Sequence, residues 1–327
     1  MPPAARPRLA PCLSHQARSE YNPGRNGIDA APEENVIVRD PIVAGQFYPD
    51  RPDRCRRQLD ELFAEPRNLD EPGRKIIGGI VPHAGWAFSG SVAARVFQAL
   101  AQTARPDVLV LFGGVHRYRG RQAAMFGSGR WETPLGPVEV DARLAERILG
   151  HTNLITDDPY AHESEHSIEV QVPFVKHLFP DARILPIMVP ASDRAHEVGQ
   201  AVARTLASYN YNAAVVGTTD LTHYGPSYGL VAHGVGPNGN AWAKVVNDQR
   251  FIDLVCRLRV TELVPEAVTH KNACSSGAAA ATLGAALDLA AREALLLEHT
   301  TSGEILTRST GQTPHDSVGY AGVIFLN

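Results

Sequence analysis

Continuous apolar runs of strand length recur four times along this chain. They cover residues 75–81 (Lys-Ile-Ile-Gly-Gly-Ile-Val), 107–112 (Asp-Val-Leu-Val-Leu-Phe), 182–189 and 213–217. Strands apolar on both faces belong inside a sheet covered on both sides, and strand–helix alternation builds such sheets. Helical periodicity follows the first run over residues 89–100, with Ser89 as N-cap, and the third run over 193–208. The fold class expected is α/β, a single mixed or mainly parallel sheet flanked by helices. Further helices are predicted over 54–63, 242–258, 261–268 and 278–291, and one over 142–149 capped by Asp141. Residues 39–49 read as an extended lead-in, 123–140 as a hairpin or small meander, and 234–239 as a loop. Two closing strands are expected at 294–299 and 317–325, the last antiparallel at an edge.

Histidines stand where these buried runs end. The first run leads into Pro82-His83-Ala84-Gly85-Trp86, the second into Gly113-Gly114-Val115-His116, and the fourth into Asp220-Leu221-Thr222-His223-Tyr224-Gly225. Ligands of open α/β sheets bind beyond the carboxyl ends of the strands, so strand-exit histidines can share one pocket. Asp220, three residues before His223, suits an acid/base pair in which the carboxylate fixes the tautomer. Cys274, in Asn272-Ala273-Cys274-Ser275-Ser276-Gly277, precedes a helix whose free N–H groups would stabilise a thiolate. That suits a nucleophile or a metal ligand, and equally a small buried residue. Cys256 lies in an apolar helical pattern and reads as buried.

The densest polar stretch is His162-Glu163-Ser164-Glu165-His166-Ser167-Ile168-Glu169. Residues 162–166 match H-E-x-x-H, the zinc peptidase spacing that sets two imidazoles on one helical face. Pro159 and Pro173 crowd this helix, and the reading preferred makes Glu165, His166 and Glu169 polar members of a pocket wall.

Composition narrows the function classes. A net charge of -4 leaves no electrostatic footprint for nucleic acid. Four cysteines without C-x-x-C spacing oppose a disulfide framework and fit a reducing, cytoplasmic setting. No apolar run reaches membrane-spanning length, so no membrane partner is expected. Residues 1–37, rich in Pro, Ala, Arg and Asn, read as a disordered tail; prolines oppose a transit-peptide helix there, and Cys12 is incidental. Residues 38–327 form the folded domain.

From Arg39-Asp40-Pro41 to the C-terminus the chain resembles the Memo family (mediator of cell motility), whose prokaryotic members are called AmmeMemoRadiSam system protein B. The anchors are Pro82-His83-Ala84-Gly85-Trp86, Glu165-His166-Ser167-Ile168-Glu169-Val170-Gln171-Val172-Pro173-Phe174, Asp220-Leu221-Thr222-His223-Tyr224-Gly225, and Cys274 before Gly277. The resemblance implies a fold similar to the class III extradiol (LigB-like) dioxygenases. It implies one metal ion held by His83, His116 and Cys274, with His223 handling protons beside Asp220. Glu165 and His166 become either pocket groups or groups that support the ligands from behind, and Arg117 is placed with them. A cysteine where those dioxygenases use a carboxylate softens the site and favours copper or zinc relative to the Fe(II) facial triad. One ion, iron or copper, is expected, with zinc a third option. Relatives commonly carry Gly-Pro-Ser/Asn-His where this chain has Gly113-Gly114-Val115-His116, a change that loosens the turn before His116. Arg117 and Arg119 beyond it either hold an anionic group at the pocket mouth or form a solvated loop. The function implied is a metal-dependent redox enzyme of dioxygenase-like type acting on a small-molecule or peptide ligand. A non-catalytic peptide- or protein-binding module using the same pocket is the alternative, and an H-E-x-x-H zinc peptidase a third reading. The prokaryotic family name implies association with radical-SAM and AMMECR-type proteins.

Overall fold

The computed structural model describes residues 36–64 and 74–327. The expected tail lies outside them apart from Val36 and Ile37. In chain order the elements are β1 (Val38–Arg39), α1 (Pro52–Phe63), β2 (Ile76–Val81), α2 (Trp86–Thr103), β3 (Val108–Gly113), β4 (Ala123–Met125), β5 (Arg130–Trp131) and β6 (Val138–Glu139). Then follow α3 (Ala142–His151), β7 (Ile155–Asp157), α4 (Val172–Leu178), β8 (Arg183–Met188), α5 (Ala195–Ser208), β9 (Ala213–Thr218) and β10 (His223–Tyr224). The chain closes with α6 (Pro237–Trp242), α7 (Gln249–Cys256), α8 (Leu263–His270), α9 (Ser276–Asp288), β11 (Glu293–Thr301), α10 (Ser302–Thr310) and β12 (Ser317–Leu326).

The main sheet has nine strands in the order β10-β12-β2-β9-β3-β8-β4-β7, with β11 paired to β12. β2, β9, β3 and β8 run parallel, whereas β12 meets β2, β10 and β11 antiparallel and β4 meets β8 antiparallel. The sheet is therefore mixed, with the four sequence-predicted apolar runs as its parallel centre. Their burial is nearly complete because helices flank them: α2 packs on β2, β12 and β11, and α9 on β9, β2 and β3. Behind α9, α5 approaches backbone to backbone. A Cβ on Gly199 would lie 1.7 Å from the Ala281 carbonyl oxygen, and one on Gly284 2.4 Å from that of His196.

Several expectations are corrected. α2 begins at Trp86 with Gly85 at the N-cap, and Ser89 lies buried in its first turn, its hydroxyl donating to the Ala84 carbonyl at 2.8 Å. Tertiary bonds set that start: Trp86 N–H donates to Phe47 at 2.8 Å and its indole to Val170 at 3.0 Å. The closing strand β12 is not at an edge, because β10 and β11 both pair to it beyond β2. The expected meander divides: β4 joins the main sheet, while β5 and β6 form a three-stranded sheet with β1. The expected loop at 234–239 runs into α6, continued by a π-helical stretch, Ala243–Asp248. The Asp141 cap forms as predicted, accepting from Leu144 N–H at 2.8 Å. Unforeseen is α10, opened by a capping box between Thr301 and Glu304.

Candidate metal centre

Three elements deliver the candidate ligands to one end of the sheet. β2 ends two residues before His83, β3 ends three before His116, and Cys274 sits just ahead of Ser275, the N-cap of α9. One donor atom from each, His83, His116 and Cys274, falls within 4.8 Å of the others. Cys274 Sγ is 3.2 Å from His83 Nε2. His166 stands close by, its ring centroid 4.9 Å from that of His116 and 5.6 Å from that of His83. His116, Glu165 and His166 also converge within 4.8 Å.

Each candidate ligand is held from behind. His83 is buried; its backbone N–H donates to Asp220 Oδ1 at 2.7 Å and its Nδ1 lies 2.9 Å from Thr218 Oγ1. His116 Nδ1 lies 2.9 Å from Glu165 Oε1, and its backbone N–H donates to Glu165 Oε2 at 2.9 Å. The same carboxylate accepts from the backbone N–H groups of His166 and Ser167, at 3.0 and 2.9 Å. Asp220 N–H donates to Cys274 Sγ at 3.3 Å, and Cys274 N–H to the Asp220 carbonyl at 3.1 Å. Hydrogen-bonding to Cys274, then to Glu165, lifts the His116 imidazole to about 9. Burial pushes the Glu165 carboxyl up, but the His116 hydrogen bond and charge and the backbone N–H groups outweigh it and hold it well below the usual carboxylate range. Burial, with the His83 charge, takes His166 down to about 4.

The donor set fits a transition metal. With Nδ1 of His83 engaged at Thr218, its Nε2 meets the cysteine sulfur, and His116, its Nδ1 engaged at Glu165, stands with a donor atom within 4.8 Å of that sulfur. Ligating histidines are oriented in this way by a hydrogen bond on the other ring nitrogen. Two imidazoles and a thiolate suit iron, copper or zinc rather than hard cations.

The turn before His116 is built without side-chain bulk. Gly114 N–H donates to Ser167 Oγ at 3.0 Å, and a Cβ on Gly114 would lie 1.9 Å from Ser275 Oγ. Ser275 in turn lies beside the ligand, its Oγ 3.5 Å from Cys274 Sγ.

A cavity of about 570 Å³ opens over His83, His116 and His166, lined also by Asp220 and His223. The expected Asp220–His223 hydrogen bond is not made among the described residues. His223 Nδ1 lies 3.0 Å from the Leu221 carbonyl, which therefore fixes its tautomer, while Asp220 Oδ1 serves His83. Arg117 is exposed and does not line the cavity. Glu169 does not line it either: it accepts from Ile42 N–H, Val43 N–H and the Tyr48 hydroxyl, each at 2.9 Å, and pairs with Arg39 at 2.8 Å. The H-E-x-x-H match carries no shared helical face, because a 3₁₀ turn, Pro159–His162, ends at its first histidine. His162 is buried against the Ala124 carbonyl, 3.0 Å from Nε2, and burial drops its imidazole to about 3.

Sequence reasoning missed several groups around this cavity. Thr218 behind His83, and Phe47, Phe88, Tyr228, Asp316 and Tyr320 on the walls, carry no local signature. Ser302 and Leu306 do, since they belong to α10, whose Thr301-Ser302-Gly303-Glu304 start was readable as a capping box.

Comparison with known proteins matches this arrangement to a family. The family model described as Memo-like protein matches residues 39–324. A MEMO1 family protein of Pyrobaculum arsenaticum is 37% identical over 298 residues, covering 88% of this chain and 99% of its own. MEMO1 family proteins of Pyrobaculum aerophilum and Methanopyrus kandleri are 35% and 34% identical, with the same coverage. Among solved structures, an uncharacterized protein, JW3007 of Escherichia coli K12, aligns with a TM-score of 0.41 at 13% identity, over 70% of this chain and 91% of its own, too loose a likeness to build on. The family model spans nearly all of the described domain and the relatives align almost end to end, so the chain belongs to the Memo family.

Proposed function

We propose that this protein is a metal-dependent oxidoreductase of dioxygenase-like type that binds one iron or copper ion through His83, His116 and Cys274. The convergence of those three donors, two of which, His83 and His116, line a ligand-sized cavity, carries the reading. A bound iron or copper ion supplies one-electron chemistry and a Lewis-acid position for a substrate oxygen. The protein's own groups do the rest. Thr218 and Glu165 fix the two imidazoles, and Asp220 ties the His83 backbone to the Cys274 loop. Because a carbonyl only accepts, His223 Nδ1 carries the proton it shares with Leu221. Nε2 is then the basic nitrogen of a residue lining the cavity, the form that takes a proton from a bound substrate.

Anaerobic titration with Fe(II), Cu(I) and Zn(II) tests the reading on wild type, Cys274→Ala and His162→Ala. Tight binding should survive His162→Ala. In Cys274→Ala it should fall by more than the ~10–100-fold typical of losing an outer-sphere partner. Substrate-dependent oxygen consumption lost in His223→Ala would establish the enzyme. Ligand binding unchanged in metal-free protein would establish instead a binding module that uses the same cavity. Loss of metal on His162→Ala would overturn the site assignment.

A further inference from the structure

The charge of the cavity points to what it binds. Its walls bring together four aromatic rings, Phe47, Phe88, Tyr228 and Tyr320, two carboxylates, Asp220 and Asp316, and four histidines, of which His83 and His116 are candidate metal ligands, while no lysine or arginine among the described residues lines it. Neither carboxylate makes an ion pair among the described residues, since the bonds they accept come from neutral groups. Asp220 Oδ1 takes the His83 N–H, and Asp316 takes Ser227 N–H and Oγ–H at 2.9 and 2.8 Å. Their negative field reaches the walls. After burial, Asp316 and then Asp220 raise the Tyr228 phenol, and Asp220 raises that of Tyr320. Aromatic faces are themselves electron-rich and attract cations.

We propose that this cavity selects an organic cation, a protonated amine carried on an apolar body of about aromatic-ring size, and rejects carboxylates and phosphates. The inference rests on the reading that the cavity over the metal centre is the ligand site. The ring packs against the aromatic walls, the ammonium faces Asp220 and Asp316, and a neutral oxygen at the far end reaches the histidine floor. Arg117, the exposed group that would favour the opposite charge, lies outside the lining.

Three phenols of similar length and different charge test this: tyramine, 4-ethylphenol and 3-(4-hydroxyphenyl)propionate. Each is titrated calorimetrically into the full chain loaded with redox-silent Zn(II). A carboxylate near 4 Å in a water-like medium is worth about fivefold in affinity, so the two should make tyramine bind roughly 25-fold tighter than neutral 4-ethylphenol, with the propionate weaker than both. Asp316→Asn keeps an acceptor oxygen for Ser227 but removes the charge. It should weaken tyramine about fivefold and leave 4-ethylphenol within about twofold, whereas Asp316→Glu should retain the preference. Equal losses in Asn and Glu variants, tighter binding of the propionate, or no binding by any of the three would overturn the inference. Metal titration of the same samples separates the two readings. Intact metal binding with no amine preference sinks this inference alone, and failed metal binding with the preference intact in metal-free protein sinks the metal reading alone.

Discussion

Glu165 makes one residue responsible for three backbone positions, two of them adjacent, and one ring. Its carboxylate gathers His116 Nδ1 and the N–H groups of His116, His166 and Ser167. Glu165→Gln replaces one acceptor oxygen with a donor and should lower metal affinity by about 10–100-fold in the same titrations, with the fold retained by circular dichroism. Gly114 is the second sensitive position. Gly114→Ala drives a Cβ into Ser275 and should cost about 1–3 kcal/mol in urea unfolding, a loss that Ser275→Gly should largely restore. Absence of rescue would mean that the turn, and not the contact, is at fault. At this scale the convergence of the candidate ligands was legible because each follows a buried strand or precedes a helix, which sets it at one edge. The Asp220–His223 pairing was misread because three residues of separation in a loop do not say which acceptor a ring nitrogen meets. Here a backbone carbonyl one residue away from Asp220 took it.

Among the elements, the short lead-in strand β1 does more than its length suggests. Buried Arg39 donates to the His162 carbonyl at 3.1 Å and the Glu165 carbonyl at 2.6 Å, and pairs with Glu169. Its guanidinium also lies 4.2 Å from the Trp131 ring centroid. The segment bearing Glu165 and His166 is thereby clamped from the start of the domain. Arg39→Met strands the Glu169 charge in the interior and should destabilise by about 3–5 kcal/mol, read as a lower urea midpoint. Unchanged stability would assign the clamp to Tyr48 and the backbone donors instead. The parallel strands were readable because burial on both faces forces continuous apolar runs. The start of α2 was not, since Gly85 carries no polar cap and contacts from Phe47 and Val170 decide it. Nor was the place of β12, whose pairing with three strands depends on partners distant in sequence.

For the whole molecule, a buried histidine, His162, and a half-buried one, His166, bear on acid stability. His162 and His166, lowered to about 3 and 4, stay neutral in the fold where the unfolded chain protonates near 6.5. The unfolded state then binds more protons, so stability rises with pH across this window and falls as pH drops from about 6.5 toward 4. Each group should remove up to about 1.4 kcal/mol per pH unit there. His116 acts in the opposite direction: raised to about 9, it stabilises metal-free protein fully below about 6.5 and loses that contribution as pH climbs through 9. Urea midpoints measured between pH 4 and 7 should show a shallower slope in His162→Gln than in wild type, and an equal slope would remove His162 from the account.

Under the redox function proposed above, the backbone-to-backbone seam between α5 and α9 bears on electron transfer. Cys274 sits just ahead of the N-terminal end of α9, a helix packed closely on α5 because Gly199 and Gly284 let the two main chains meet. An ion held there meets a sulfur whose position is set before the ion arrives. On gaining or losing an electron, its surroundings have little room to rearrange. That keeps the nuclear reorganisation energy small, the condition for rapid exchange between oxidation states.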